Sequence, residues 1–570
     1  MGKKYLIVGG VAGGASAAAR LRRLGEDDEI IMFEKGPDVS FSNCSLPYRL
    51  SGAVANTEDL IMMNPELFKG QYNIDARVNN EVIAIDRDKK EVEVKNLLDG
   101  TTYKESYDKL ILSPGAKPVA PNLPGIEKAN VFTIRNVVDI DKLHKFIEKT
   151  KPTRITVAGA GFIGIEVVEN LVIAGYNVTL VQSPPQILNQ IDDDLVQRLH
   201  KEVVDHGVEL ILGDRVSAFD TNKVILKSGK VIESEVVIMS IGITPATDIA
   251  VQAGIETSQK GAIKVDANYL TNDPDIYAVG DAIEVYNILT QRSAQLALAG
   301  PALKQARSVA DHIHGKNISN KGYIGSSIVK VFNINVANTG LSEKMLEKMD
   351  LDYDAIVIVP KDKVGIMPDA EDLAFKLIFE KPTGRILGAQ AIGLGNVDKR
   401  VDVIATAIKF GATVDDLPDL ELCYAPPFGT GKDVVNFAGY VASNILHGTY
   451  KQVSFAKVRE LHENGAYILD VRETYEVEDE GRIKNVHNIP LSQLRDRMEE
   501  IPKDIPVYAH CRSGQRSYNA VLALQAKGYK HVYNISGGFM GVRSYEYYRD
   551  ITTGREPIVA EYGFPEQRSK

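Results

Sequence analysis

Apolar runs of four or five residues that stop abruptly at glycine recur along the chain, and they set its predicted architecture. Residues 4–8 read as one such strand, with the apolar run Tyr5 to Val8 followed by Gly9-Gly10-Val11-Ala12-Gly13-Gly14 and an alanine-rich stretch. A second run, Ile30 to Phe33, then ends at Glu34. Continuous apolar runs bounded in this way predict buried parallel strands, with the alanine-rich stretch as a helix opening on the glycine loop. The pattern repeats at Ile155 to Ala158, Gly159-Ala-Gly161-Phe-Ile-Gly164, a helix to about Gly175 and a strand Val178 to Val181 ending in Gln182-Ser183. Tyr107 to Gly115, Val236 to Gly242 and Thr271 to Asp281 read as further strands that end in a tight glycine turn. The chain is therefore α/β.

A length of 570 residues exceeds one core and predicts three or four domains. A formal charge of −10 argues against general nucleic-acid binding. Three cysteines, Cys44, Cys423 and Cys511, cannot build a disulfide framework and suit a reducing cytosol. The apolar run near the start spans only Tyr5 to Val8, too short for a signal peptide, and no run of membrane-spanning length occurs elsewhere. A soluble, cytoplasmic protein with no membrane contact is expected.

The glycine loops carry the first chemistry. Their glycines let backbone approach a pyrophosphate, which the helix N-terminus stabilises through its dipole and free N–H groups. Glu34 stands where an acid would accept from a ribose hydroxyl. Val11 replaces the second glycine of the fingerprint in the first loop, whereas the second loop is a full G-x-G-x-x-G. Gln182 stands where NAD binders often place an acid, and no arginine follows nearby to hold a 2′-phosphate; NADH is favoured over NADPH. Ser16, Arg20 and Arg23 share one face of the first helix, either as a solvated basic stripe or as a phosphate clamp. Between the loops lies Ser-Phe-Ser-Asn-Cys-Ser-Leu-Pro-Tyr at 40–48, with Cys44 alone in it. Two dinucleotide motifs make a redox thiol facing a flavin the sharp reading of Cys44, and a buried bystander the bland one. Ser42 and Asn43 are expected to cap a following helix whose dipole lowers the Cys44 pKa.

In this order and spacing, the motifs of residues 1–447 resemble the two-dinucleotide flavoprotein disulfide reductases. The single cysteine at 44 resembles the coenzyme A-disulfide and coenzyme A-persulfide reductase branch, since glutathione- or lipoamide-reductase types need a second cysteine soon after. Ala12 stands where the NADH oxidase and peroxidase relatives carry histidine. The resemblance implies two Rossmann-like dinucleotide-binding domains and an α+β dimerisation domain. FAD would bind through 1–118 and 250–322, NAD(P)H through 119–249, and dimerisation through 323–447. It implies cofactor contacts at Gly9, Val11, Ala12, Gly14, Glu34, Lys35, Ser42, Asn43, Val82, Ser113, Gly115, Arg135, Asp281 and Ala299, and at Gly159, Gly161, Phe162, Ile163, Gly164, Glu166, Gln182 and Gly242. It also assigns Ser16, Arg20, Arg23, Ser40, Asn43 and Lys432 to coenzyme A, and has Tyr424 reach the flavin and cysteine of the partner in a homodimer. Two departures stand out: Ile366-Met367-Pro368 replaces a segment that usually supplies a second tyrosine, and Leu303 replaces a usual Asn or His. Cys423 sits where serine is common and reads as a neighbour facing away rather than as a second redox thiol.

Residues 448–454 read as a linker, and 455–560 as a compact α/β unit. Leu-Asp-Val-Arg-Glu at 469–473 and Cys511-Arg-Ser-Gly-Gln-Arg516 resemble a rhodanese domain. Arg516 lies five positions after Cys511; a cysteine phosphatase would need arginine at 517, where Ser517 stands. Gly537-Gly538 matches the late glycine pair of that family, although no Trp follows. Converging loop N–H groups with Arg512 and Arg516 would hold an anionic sulfur species on Cys511. The reaction implied is FAD-dependent NAD(P)H reduction of coenzyme A disulfide or persulfide at Cys44, with related low-molecular-weight thiols as further partners and Cys511 carrying sulfane sulfur. An NADH oxidase or peroxidase, and a redox-sensing sulfur carrier with slow reductase activity, are the rival readings.

Overall fold

The computed structural model describes residues 2–318 and 320–564; Ser319, inside the expected second FAD segment, lies outside the described residues. The chain divides into two compact units. One comprises the chain up to Pro185 together with Ile211–Gly325, and the other Gln186–Leu210 together with everything from Ser326.

The first unit holds two parallel sheets. In one, strands Ile276–Ala278, Lys109–Leu112, Lys4–Val8, Glu29–Glu34 and Asp75–Val78 lie in that order, with Val8 opposite Phe33. Leu6, Ile7, Ile31 and Met32 are completely or almost completely buried, as the unbroken apolar runs require of strands covered on both faces. In the other, Asn177–Gln182, Arg154–Ala158, Val236–Met239 and Val131–Phe132 are neighbours. Each central strand feeds a glycine loop and a helix, Ala12–Leu24 and Phe162–Ile173 respectively. Asn80–Asp86, Glu91–Asn96 and Thr102–Ser106 form a separate antiparallel sheet.

The second unit combines an antiparallel sheet with a parallel one. Ser326–Val331, Ile334–Gly340, Ile386–Gly393, Ala374–Glu380 and Tyr353–Ile358 form the first, on which helix Val397–Phe410 packs. Lys451–Ser454, Val532–Ser536, Val507–His510, Tyr467–Asp470 and His487–Asn488 form the second. Lys451–Ser454 falls inside the stretch read as linker; it is a parallel strand in register with Tyr533–Ser536. Residues 186–210, expected within the NAD(P)H segment, belong to this second unit. Ion pairs and ring packing both tie them to it. Lys376, almost fully buried, is neutralised by Asp192 at 3.0 Å, Asp194 at 2.9 Å and Glu343. Helix Asp193–Asp205 also sets His200 against Tyr548, ring to ring at 4.8 Å. Among the described residues no helix is long and apolar enough to cross a membrane.

Candidate functional site

The two glycine loops are built alike. A Cβ on Gly14 would lie 1.8 Å from the Gly9 carbonyl oxygen, and one on Gly164 would lie 1.9 Å from that of Gly159. Only glycine lets each helix sit this close over its strand end. Gly10 donates its backbone N–H to Glu34 Oε2 at 2.9 Å, and Ala160 donates to Gln182 Oε1 at 3.0 Å. Glu34 Oε1 accepts a further N–H from Gly36 at 2.9 Å. Both oxygens of the acid expected to face a ribose thus fasten the loop backbone first. Gln182, chemically unexpected in sequence, does the same work in the second loop.

The remaining expected cofactor residues are distributed over both parallel sheets and the small antiparallel one. Val11 accepts the Ala15 N–H at the helix start, ahead of Ala12. The Arg135 guanidinium lies over Gly115, 2.4 Å from where a Cβ would be, and Ser113 closes onto Val8. Arg135 and Asp281 are half-buried neighbours in charge: burial pushes the Asp281 carboxyl up, and Arg135 offsets part of that. Neither side chain has a hydrogen-bond partner among the described residues, so the pair is fitted to a polar ligand such as a dinucleotide or ribityl chain. Gly161 faces open space and could admit a pyrophosphate. Phe162 and Ile163 begin the helix behind it. Gly242 accepts the Val119 N–H, while Lys35 and Ala299 are exposed. Val82 is a core residue paired with Val94, so only its backbone is left to meet a cofactor.

Cys44 lies in a 3-10 turn, Asn43–Arg49, rather than at the start of a longer helix. No side-chain cap is made there; Ser42 Oγ instead meets Ser45 Oγ at 2.8 Å. The expected dipole assistance is therefore missing. Cys44 is exposed, yet surrounding atoms strip enough water from the thiol to push its pKa up, and the carboxylates of Glu166 and Asp281 push it further. Glu166 lies on the helix of the second glycine loop, and that helix packs on the Cys44 turn. Ser51 Oγ donates to Asn170 Oδ1 at 2.5 Å, pinning turn to helix. Burial, with Glu169 nearby, raises the Glu166 carboxyl to about 7.

The helical stripe opens on a cleft. Ser16, Arg20, Arg23 and Ser40 line it with Met63, Phe68, Tyr72, Leu303 and Arg307, enclosing about 360 Å³. Asp311 orients Arg20 through Nε at 2.8 Å and Nη2 at 2.5 Å, and reaches Arg307 Nε at 3.7 Å. Arg23 lies 5.8 Å over the Tyr72 ring. Three arginines beside aromatic and aliphatic walls suit a ligand with phosphate and apolar parts. Arg307, Met63, Phe68 and Tyr72 were missed in the sequence because they lie on other elements, whereas Leu303 was singled out there. Asn43 does not line this cleft.

In the second unit, Asp433 caps helix Val434–Leu446 by accepting the Val435 N–H at 3.1 Å, and holds buried Arg400 at 3.1 Å. This anchors the end of the 421–433 loop. Tyr424, Phe428 and Cys423 are exposed on it, as is Ile366 elsewhere, and Lys432 Nζ lies 5.6 Å from the Tyr440 ring centre. Cys511 follows strand Val507–His510 and is buried. Its Sγ accepts the Gly514 N–H at 3.1 Å and lies 3.6 Å from Ser517 Oγ. Underneath, Asp470 and Arg472 form a fully buried pair at 2.7 Å. Neither loop arginine is free: Arg516 grips Glu476 at 2.5 and 2.6 Å, and Arg512 meets Glu480 and Asp372, each at 2.9 Å. Those three acids carry no local sequence signal.

Comparison with known proteins places these features in context. The pyridine nucleotide-disulphide oxidoreductase family matches residues 3–306, its dimerisation domain residues 326–433, and the rhodanese-like domain residues 454–545. A coenzyme A disulfide reductase of Staphylococcus epidermidis is 36% identical over 440 residues, 77% of this chain and 99% of that relative. The crystal structure of reduced Bacillus anthracis CoADR-RHD superposes with a TM-score of 0.93 at 46% identity, over 96% of this chain and 98% of the other. That of an NAD-dependent persulfide reductase from A. fulgidus gives 0.89 at 32% identity, over 94% and 99%.

Proposed function

The chain belongs to the pyridine nucleotide-disulphide oxidoreductase family, and we propose that it reduces coenzyme A disulfide or coenzyme A persulfide through Cys44. The observation that carries this reading is the meeting of both glycine units at one thiol: Asp281 of the first and Glu166 of the second both act on Cys44. With no second cysteine nearby in sequence, the thiol takes its disulfide partner from the substrate. Arg20, Arg23 and Arg307 in the adjoining cleft supply cations for a phosphate-bearing thiol.

FAD and NAD(P)H, when bound, supply the electron pair that keeps Cys44 reduced. Glu34 and Gln182 hold the two loops open for them, with Arg135 and Asp281 as polar contacts. The Cys44 thiolate attacks one sulfur of the substrate disulfide, that S–S bond breaks, and the other thiolate departs with the bonding pair. One coenzyme A stays on Cys44 in a mixed disulfide. NADH is the favoured reductant because Gln182 is neutral and no arginine follows to hold a 2′-phosphate. Two copies would pair through 326–433, using Tyr424 and Lys432 to complete the partner's site. Three free cysteines accord with a reducing cytoplasm. The rhodanese-like domain would handle sulfane sulfur at Cys511.

An anaerobic assay crossing NADH and NADPH with coenzyme A disulfide and coenzyme A persulfide tests the reading. Cys44→Ser should lose both disulfide and persulfide reduction while its flavin is still bleached by NADH. Full turnover in that variant would refute the assignment.

A further inference from the structure

The Cys511 loop has already committed its guanidinium groups. Arg512 places Nε on Glu480 Oε1 at 2.9 Å and Nη2 on Asp372 Oδ2 at 2.9 Å, with Nη1 at 3.4 Å from the same carboxylate. Asp372 comes from the antiparallel sheet region just before strand Ala374–Glu380, and Lys361 steadies it at 3.1 Å. Arg516 gives Nη1 and Nη2 to Glu476. At the sulfur lie the Gly514 N–H, which donates to it, and the Arg516 guanidinium, which also interacts with Cys511; the Ser517 hydroxyl, 3.6 Å from the sulfur, gives its proton to Asn534 Oδ1 at 2.6 Å. The Gly514 N–H and Arg516 can stabilise one negative charge borne on sulfur, and with Arg512 held by acids no second loop cation is offered to an oxyanion.

We propose that Asp372 is a specificity-determining residue for sulfur transfer to Cys511. By holding Arg512 it denies a doubly charged inorganic donor such as thiosulfate the guanidinium its oxyanion needs, and it leaves organic hydropersulfides as the donors accepted. The inference rests on reading Cys511 as a sulfur-carrying thiol. In the favoured transfer the Cys511 thiolate attacks the outer sulfur of an R–S–SH donor. The S–S bond breaks, RS⁻ leaves with its electron pair and takes up a proton, and Cys511 becomes a persulfide. With thiosulfate the same attack would expel sulfite.

Glu480 gives the latch a second position. Its Oε2 and the Nη1 of Arg472 are both buried without hydrogen-bond partners, and they lie 3.9 Å apart. A small inward swing would satisfy both while releasing Arg512 Nε. Asp372, steadied by Lys361, meets Arg512 through both Nη1 and Nη2, so it is the firmer of the two holds on Arg512.

The test loads full-length, flavin-bound enzyme with thiosulfate or glutathione hydropersulfide and follows the gain of one sulfur on the Cys511 peptide by mass spectrometry. Wild type should load faster from the hydropersulfide. Asp372→Asn should raise loading from thiosulfate about tenfold, a gain that falls with added salt, and leave hydropersulfide loading within about twofold. Asp372→Glu should restore the wild-type ratio. Glu480→Gln, which loosens Arg512 from the other side, should move thiosulfate loading the same way and covers a folding failure at 372. Coenzyme A disulfide reduction by each variant should match wild type. Equal loading from both donors in wild type, or parallel changes for both donors in the variants, would overturn the role of Asp372. A wild-type Cys511 that accepts sulfur from neither donor would overturn the sulfur-carrier reading itself.

Discussion

Glu166 and Cys44 are electrostatic neighbours contributed by two different glycine units. The carboxyl sits near 7 because of its burial, and its ionised form opposes thiolate formation at Cys44. Its influence on the thiol therefore grows as pH rises through about 7 and vanishes below. Glu166→Gln should shift the pH profile of Cys44 alkylation to lower pH. At pH 8 the rate should be about threefold faster than wild type, and at pH 6 it should be the same. Peptide-resolved iodoacetamide labelling separates Cys44 from the exposed Cys423. An unchanged profile at pH 8 would contradict the coupling.

Glycines 161 and 164 make a matched pair of tests. An added Cβ at Gly161 meets nothing, whereas at Gly164 it collides with the Gly159 carbonyl. Gly164→Ala should destabilise the protein by about 3 kcal/mol or more, because strand and helix must separate. Gly161→Ala should keep the wild-type melting temperature and raise the KM for NADH about tenfold, by filling space open to a pyrophosphate. Stopped-flow flavin reduction and thermal melting read the two outcomes apart.

Lys376 faces three acids from inside the protein, so removing its charge strands them. Lys376→Met should cost about 3–5 kcal/mol of stability at pH 8. Burial already holds Asp192 up at about 6 despite the lysine, and losing the lysine removes a group that lowers it. The deficit should shrink as pH falls and these carboxyls take up protons, whereas at high pH they must stay charged and buried. Urea unfolding at pH 5 and pH 8 checks both size and sign.

The sequence foretold what local order can carry. Glycine loops at 9–14 and 159–164 are local events, and so are the apolar strands that precede them. The stripe of Ser16, Arg20 and Arg23 was visible because 3.6-residue periodicity places it on one face. Arg307, which completes the same cleft, lies almost three hundred residues away and has no periodic link to it. The cap expected at Ser42 failed for a related reason: Pro47 lies inside the short turn, which does not extend into a longer helix. Asp372 on Arg512, and Asp192 and Asp194 on Lys376, are pairings between distant segments; nothing in the neighbourhood of either cation announces them. The sequence did expose the unusual residue at 182, but its role became clear only with the Ala160 N–H bound to it.

The strand Lys451–Ser454 bears on how the rhodanese-like part could be isolated. It forms one edge of its sheet by pairing with Val532–Ser536. A fragment begun at 455 would leave a row of backbone N–H and C=O groups on Val532–Ser536 without partners, an edge open to pairing with other copies. A fragment begun near Thr449 keeps that edge covered. The excisable piece is therefore longer than the family match alone marks out, and its natural cut lies at Gly448, just beyond helix Val434–Leu446.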